Sequence, residues 1–141
     1  MTIALASDHA GFRYKSLIGR HLAALGHTVV DFGTDSEQPV DYPQFIRPAA
    51  ESVASGKCDC GIILGGSGNG EAIVANKVRG IRCGVCWNAE SARLARAHNN
   101  ANVISLGQRM MDPETAIQIV DSWLNAHFEA GRHQRRIEQI E

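Results

Sequence analysis

Short apolar runs alternate with helical stripes along the whole of this sequence, and that alternation predicts a single-domain α/β fold. The expected architecture has three layers, about five parallel strands with helices on both faces, because strand–helix–strand units make right-handed crossovers. Two further observations agree. The length, 141 residues, suits one domain with a substantial core. No internal repeat, low-complexity tract or linker divides the chain, so residues 1–141 are expected to form one Rossmann-like domain with a C-terminal helical segment at about 132–141.

Thr2 to Ser7 is an apolar run ending in polar residues, which reads as a buried strand. The turn Asp8-His9-Ala10-Gly11 follows. From Phe12 to Leu25, apolar residues at Leu17, Ile18, Leu22 and Leu25 make a helical stripe that Gly26 stops. Thr28 to Phe32 reads as a second strand, and Gly33 to Asp41 as a polar loop. Tyr42-Pro43 opens a helix running to about Ser55, with proline suited to the first turn. Cys60 to Leu64 is the third strand, followed by a glycine-rich loop and its helix. Arg82 to Cys86 is the fourth strand, Ala89 to Asn99 a helix, Asn100-Ala101-Asn102 a turn and Val103 to Leu106 the fifth strand. Pro113 opens a long helix through Ile117, Ile119, Val120, Trp123 and Leu124 that Gly131 is expected to break; Arg132 to Glu141 is a charged helical segment.

Composition narrows the function. Hydrophobic residues are 44% and charged residues 21%, the balance of a globular chain and not of a disordered one. A net charge of −1 provides no bulk attraction to nucleic acid or to an anionic membrane. No apolar run approaches the ~18 residues of a membrane span. The first residues lack the basic and long apolar regions of a signal peptide, so a cytoplasmic location is expected. Of the four cysteines, Cys83 and Cys86 stand three apart in a strand and face opposite ways, which opposes a zinc chelate. Buried reduced thiols are the expectation for Cys58, Cys60, Cys83 and Cys86.

In a parallel sheet, ligands bind beyond the carboxyl ends of the strands. That rule gathers Ser7–Gly11, Gly33–Tyr42, Gly65–Glu71, Trp87–Asn88 and Gly107–Arg109 at one rim. The loop Gly65-Gly66-Ser67-Gly68-Asn69-Gly70 is the conspicuous member. Glycines let a ligand approach the backbone, and a helix start presents free N–H groups that suit an anion. The loop is neither a Walker A loop nor a dinucleotide fingerprint, since no Gly-Lys-Ser/Thr closes it and it follows the third strand, not the first. Glu71 at its edge has two readings: a carboxylate favoured by the helix dipole, or a general base. His9, beside Asp8, is a candidate at the first rim loop. His98, with Asn99 and Asn100, lies at a helix end away from the rim. Within one chain it should be a cap, and only a second subunit could bring it to a rim site. Arg132, His133, Arg135 and Arg136 form a basic cluster in which Arg132 and Arg136 share a helix face. With Arg109 in a separate rim loop, they suit a small phosphorylated ligand or, alternatively, are a solvated tail.

Taken in order, Asp8-His9-Ala10-Gly11, Asp41-Tyr42-Pro43, Gly65 to Glu71, Ala75-Asn76-Lys77, Gly80-Ile81-Arg82, His98 to Asn102, Gly107-Gln108-Arg109 and Gly131 to Arg136 closely resemble the type B ribose-5-phosphate isomerases, a family that also holds galactose-6-phosphate isomerase. The resemblance covers nearly all of the chain. It implies an aldose–ketose isomerase with no metal or organic cofactor, working as a homodimer or dimer of dimers with sites between subunits. It implies ribose 5-phosphate and ribulose 5-phosphate as the substrate pair, with a hexose or tetrose phosphate, or a phosphosugar-binding module without turnover, as alternatives. Position by position, it assigns sugar-ring opening to His98 and Asp8, with hydroxyl binding also to Asp8, the sugar site to Tyr42, and substrate binding to Asn99. The enediolate oxygens would go to the backbone N–H groups of Ser67, Gly68, Asn69 and Gly70, with Gly66 a further substrate-binding residue. Phosphate would go to His9, Arg109, Arg132 and Arg136. Many members carry a cysteine base where this chain has Ser67. A subgroup has serine there and a glutamate four residues on, and Ser67 with Glu71 resembles that subgroup, with Glu71 as the base and Ser67 moving a proton between the O1 and O2 oxygens.

Overall fold

A computed structural model describes residues 1–141. Five parallel strands form one sheet: β1 (Thr2–Ser7), β2 (Thr28–Asp31), β3 (Cys60–Gly65), β4 (Cys83–Val85) and β5 (Val103–Gly107), in the order β2-β1-β3-β5-β4. The helices are α1 (Phe12–Ala24), α2 (Pro43–Ala54), α3 (Asn69–Asn76), α4 (Ala89–Asn99), α5 (Pro113–Asn125) and α6 (Arg132–Ile137).

The expected three-layer fold is present, and the crossover rule explains its layers. Connections that step toward the β2 edge, through α1 and α4, lie on one face; those that step toward β4, through α2 and α3, lie on the other. Right-handed crossovers require this alternation, since reversing direction on the same face would reverse the hand. Strand side chains alternate accordingly. Ile3, Leu5, Ile62, Leu64, Ile104 and Leu106 meet α1, α4 and α5 on one side. Ala4, Ala6, Ile63 and Val103 meet α2 and α3 on the other, where the small alanines face Ile46, Ala49 and Ala50. β3 lies centrally and is buried along its whole length.

Cys83 and Cys86 pack against opposite cores, as the strand spacing predicts. Burial pushes the thiol of Cys60 up to about 11 and that of Cys86 up to about 12, and raises that of Cys83 further, so these sulfurs stay protonated at neutral pH.

Several boundaries differ from the periodicity. The stripe of α1 buries Ile18 and Leu22 but leaves Leu25 54% exposed, while Lys15 is buried. Lys15 is accommodated because Nζ donates to both Asp31 oxygens at 2.6 Å. β4 is shorter than expected. Gly131 does not end α5: the helix stops at Asn125, and Ala126 is already extended. The chain then returns to α4, where the Glu129 N–H donates to the Ala97 carbonyl at 3.0 Å, and Gly131 instead starts α6. The helical tail covers Arg132–Ile137 and not the full stretch to Glu141. No helix is long and apolar enough to cross a membrane.

Candidate active site

β1 sits between β2 and β3, so the chain leaves β1 in one direction and β3 lies in the other. That reversal opens a crevice beyond the carboxyl ends of the two strands. Asp8 follows β1 there and is 8% exposed. Its Oδ1 accepts from the N–H groups of Ala10 at 2.9 Å and Gly11 at 3.2 Å, which fixes the turn. Gly11 presses onto β3: a Cβ at that position would lie 2.7 Å from Leu64 Cβ.

The glycine loop leaves β3 at the same end. Gly68 has φ +83°, a conformation natural to glycine, and a Cβ there would lie 3.0 Å from Ser105 Oγ. Ser105 is wholly buried, and its Oγ donates to the Gly68 carbonyl at 2.7 Å. The Arg109 N–H donates to the Gly66 carbonyl at 3.0 Å. The Gly66 and Gly68 carbonyls are thus tied to β5 and the turn after it. The N–H groups of Gly66, Ser67, Gly68 and Gly70 have no acceptor in the protein, and the Asn69 N–H donates to Ser67 Oγ at 3.2 Å. Free donors at the start of a helix form an anion site. Because Ser67 Oγ accepts from Asn69, its own hydroxyl hydrogen remains free to donate outward.

Glu71 stands in the first turn of α3 and is only 4% exposed. Its carboxylate lies over Gly65, in the space a side chain there would fill. Burial raises its pKa above the usual carboxylate value, and the Asp8 charge adds to the rise; its own backbone N–H opposes both. Helix-dipole stabilisation of an exposed carboxylate would have lowered the pKa, so burial outweighs the helix end here.

Around this centre stand three side chains from other loops. His9 Nδ1 accepts from the Val40 N–H at 3.1 Å, which leaves the proton of the neutral ring on Nε2, an outward donor. The ring of Tyr42 packs on Gly70, where a Cβ would meet its hydroxyl oxygen at 2.8 Å. The Arg109 guanidinium lies over Gly66, with Nη1 3.1 Å from the position of a Cβ there. Of the rim residues expected from sequence, Asn88 serves another purpose: with Ser91 it forms a capping box on α4.

The remaining candidates form a second group at the other end of the sheet. α4 runs back along the strands, so His98 and Asn99 sit near the amino ends. There Arg82 donates to the carbonyls of Asn99 and Asn100. His98, Asn99 and Arg136 line one concavity with His133, and Arg132 begins the same short helix. From Val103 to Gly107 the sheet alone spans about 13 Å at ~3.3 Å per residue, so one chain does not unite the two groups.

The cluster of His98, Glu129 and His133 is the place where metal-donor atoms gather, within 4.8 Å of one another. The two imidazoles are stacked, with centroids 4.2 Å apart and planes 12° apart. A cation bound by both must lie close to both ring planes, which near-parallel stacked rings do not allow. The donors are right for a metal and their orientation is wrong.

Sequence reasoning misses Ser105 and Glu129 and the burial of His133. Ser105 was detectable as a lone polar residue inside an apolar strand. His133 was noted only as part of a basic cluster, yet it is 7% exposed. Glu129 carries no local signal, since the fold alone brings it to His98.

Residues 3–140 match the family pattern described as ribose/galactose isomerase. The chain is 46% identical over 138 residues to ribose-5-phosphate isomerase B of Escherichia coli K12, covering 98% of this chain and 93% of that protein. It superposes on Clostridium thermocellum ribose-5-phosphate isomerase B with a TM-score of 0.98 at 47% identity, over 99% of this chain and 95% of the other. It is also similar to the Mycoplasma genitalium ribose-5-phosphate isomerase B structure with bound ribulose-5-phosphate: TM-score 0.95, 41% identity, 99% of this chain and 93% of that one.

Proposed function

The chain belongs to the ribose/galactose isomerase family, and on that premise we propose that it interconverts ribose 5-phosphate and ribulose 5-phosphate through a cis-enediolate, with Glu71 as the general base. The observation that carries this reading is the juxtaposition of a buried carboxylate of raised pKa with a loop of unpaired N–H donors.

The chemistry follows from that pairing. Taking the proton from C2 of the open-chain aldose moves charge onto the carbonyl oxygen. Donors already aimed at that oxygen stabilise the charge as it develops, without reorganisation. The N–H groups of Gly66, Ser67, Gly68 and Gly70 supply such donors, with Asn69 bracing the loop through Ser67. One carboxylate can return the proton to C1 on the same face, as a cis-enediol requires, while the free Ser67 hydroxyl moves a proton between O1 and O2. A base works best with its pKa near the operating pH, which is the direction in which burial and Asp8 move Glu71. Tyr42 walls the sugar site against Gly70.

The phosphate is assigned to His9 and Arg109 at the rim and to Arg132 and Arg136, whose guanidinium forks suit its oxygens. His98 assists ring opening with Asp8, and Asn99 binds sugar hydroxyls. These last assignments need a homodimer, or a dimer of dimers, whose partner lays the α4–α6 end over the glycine rim. The opposite placement of the two groups within one chain supports that arrangement. Small phosphorylated metabolites as substrates fit a cytoplasmic location.

The test is kcat/KM across phosphorylated tetroses, pentoses and hexoses, together with solvent deuterium entry during turnover of ribose 5-phosphate. The expected result is the highest value for the pentose and exchange at the transferred position. Tight ligand binding with neither turnover nor exchange would reduce the protein to a binding module.

A further inference from the structure

Glu129 lies outside the sequence motifs, yet it faces the two stacked imidazoles. Its Oε2 is 3.6 Å from His98 Nε2 and 3.7 Å from His133 Nε2. Those are ion-pair separations, longer than a hydrogen bond. His133 Nε2 is buried and has no hydrogen-bond partner.

The backbone is bent to make this arrangement. Ala130 has φ +56° and Gly131 φ +58°. Positive φ is natural for the glycine but strained for the alanine, and such strain persists only where the surroundings impose it. The Glu129 N–H is held by the Ala97 carbonyl, one residue before His98, and the His133 N–H by the Ala130 carbonyl. The turn therefore delivers a carboxylate and an imidazole, four residues apart, onto the exposed end of α4.

We propose that Glu129 is a positioning residue for His98: its carboxylate holds the imidazole proton on Nε2, leaves the Nδ1 lone pair free to take the proton of the anomeric hydroxyl while the ring oxygen gains one from water as its bond to C1 breaks, and works against the fixed backing of the His133 ring. The proposal rests on the reading of His98 as the ring-opening group. Which nitrogen of a neutral imidazole carries the proton is set by what faces the other. The charged neighbours of the cluster are Glu90 and Arg93 on α4, Glu129 itself, and Arg132 and Arg136 on α6. Burial lowers the pKa of His133, and the charges of His98, Arg132 and Arg136 lower it further against the pull of Glu129. His133 thus stays neutral at neutral pH and stacks as an uncharged ring.

Nitrogen-15 histidine spectra of the full-length protein, wild type, Glu129→Gln and Glu129→Asp, read the tautomer directly, with His98→Ala and His133→Ala to assign signals. The expected wild-type spectrum has neutral His98 protonated on Nε2. Glu129→Gln should mix the two tautomers and Glu129→Asp should largely restore the first. Glu129 is half exposed and its amide replacement is isosteric, so the fold should survive. In turnover of ribose 5-phosphate, Glu129→Gln should lower kcat by about tenfold, less than the ~10²-fold or more of removing an acid–base group outright, with KM nearly unchanged. A wild-type Nδ1–H tautomer, or one that Glu129→Gln leaves unchanged, overturns the proposal, as does a rise in KM at constant kcat. Full turnover by His98→Ala would instead remove the ring-opening reading while leaving the tautomer result intact.

Discussion

The Glu71 carboxylate rests on the Cα of Gly65, so that the residue ending β3 and the candidate base occupy one packing unit. A methyl group at Gly65 would overlap the carboxylate and displace it. Gly65→Ala should therefore lower kcat by roughly 10²-fold, the scale of an ångström-sized misplacement, with a smaller effect on KM. Steady-state kinetics on ribose 5-phosphate check this, and an unchanged kcat would show that the carboxylate can move without loss.

Replacing Glu71 by glutamine keeps the shape and removes the proposed base. We expect kcat to fall by about 10²–10⁴-fold, with substrate binding largely retained. Near-normal turnover would sink the assignment. Ser67→Ala should be milder, and a loss as large as that of Glu71→Gln would make Ser67 a primary catalyst.

The same carboxylate carries a stability cost with a defined sign. Its folded pKa is raised above the ordinary 4.5, so across the window between those values the folded state holds more protons than the unfolded chain. Stability then declines as pH rises through the window, and the whole penalty is present above it. Glu71→Gln should melt higher than wild type at neutral pH, and the difference should vanish below pH 4.5. In wild type the acid limb of kcat should lie above the usual carboxylate range, because the base must be ionised. Equal melting temperatures at neutral pH would mean that the carboxylate finds solvation the fold does not display.

Ser105 holds the glycine loop through a buried hydrogen bond to the Gly68 carbonyl. Ser105→Ala removes one of the two donors to that carbonyl, leaving the Ala72 N–H at 3.1 Å, and should cost about 0.5–1.5 kcal/mol in denaturant unfolding, with a fall in kcat as the loop donors lose their aim. Unaltered stability and kinetics would show that the loop is held by its glycine packing alone.

The separation of Glu71 from Arg136 allows a test of intersubunit sites. Arg136→Glu should chiefly raise KM by weakening phosphate binding. Mixed in equal amounts and reassembled with Glu71→Gln subunits, and assayed well below its raised KM, it should recover about a quarter of wild-type activity, since half of random dimers are mixed and each mixed dimer rebuilds one of two sites. No recovery on mixing would place both residues in the same site of one chain.

Much of this protein was readable from local pattern. Strands, helices and the glycine loop announce themselves because a period of two, a period of 3.6 and a run of small residues are properties of neighbouring residues. The same reasoning put Cys83 and Cys86 on opposite faces, while the sugar-phosphate isomerase reading came from the family resemblance that the ordered motifs carry. Local pattern failed where distant segments decide. It did not show that β5 inserts between β3 and β4, that Lys15 is buried against Asp31, or that α5 stops at Asn125 so the chain can return to Ala97. It left Glu71 between helix-end electrostatics and catalysis, because the deciding quantities, its burial and the nearness of Asp8, arise only when β1 and β3 pair. Sequence by itself determined the elements and the residue types available for chemistry. Tertiary structure decided which of them lose water and which charges they face, and desolvation and proximity are what turn a carboxylate into a candidate base.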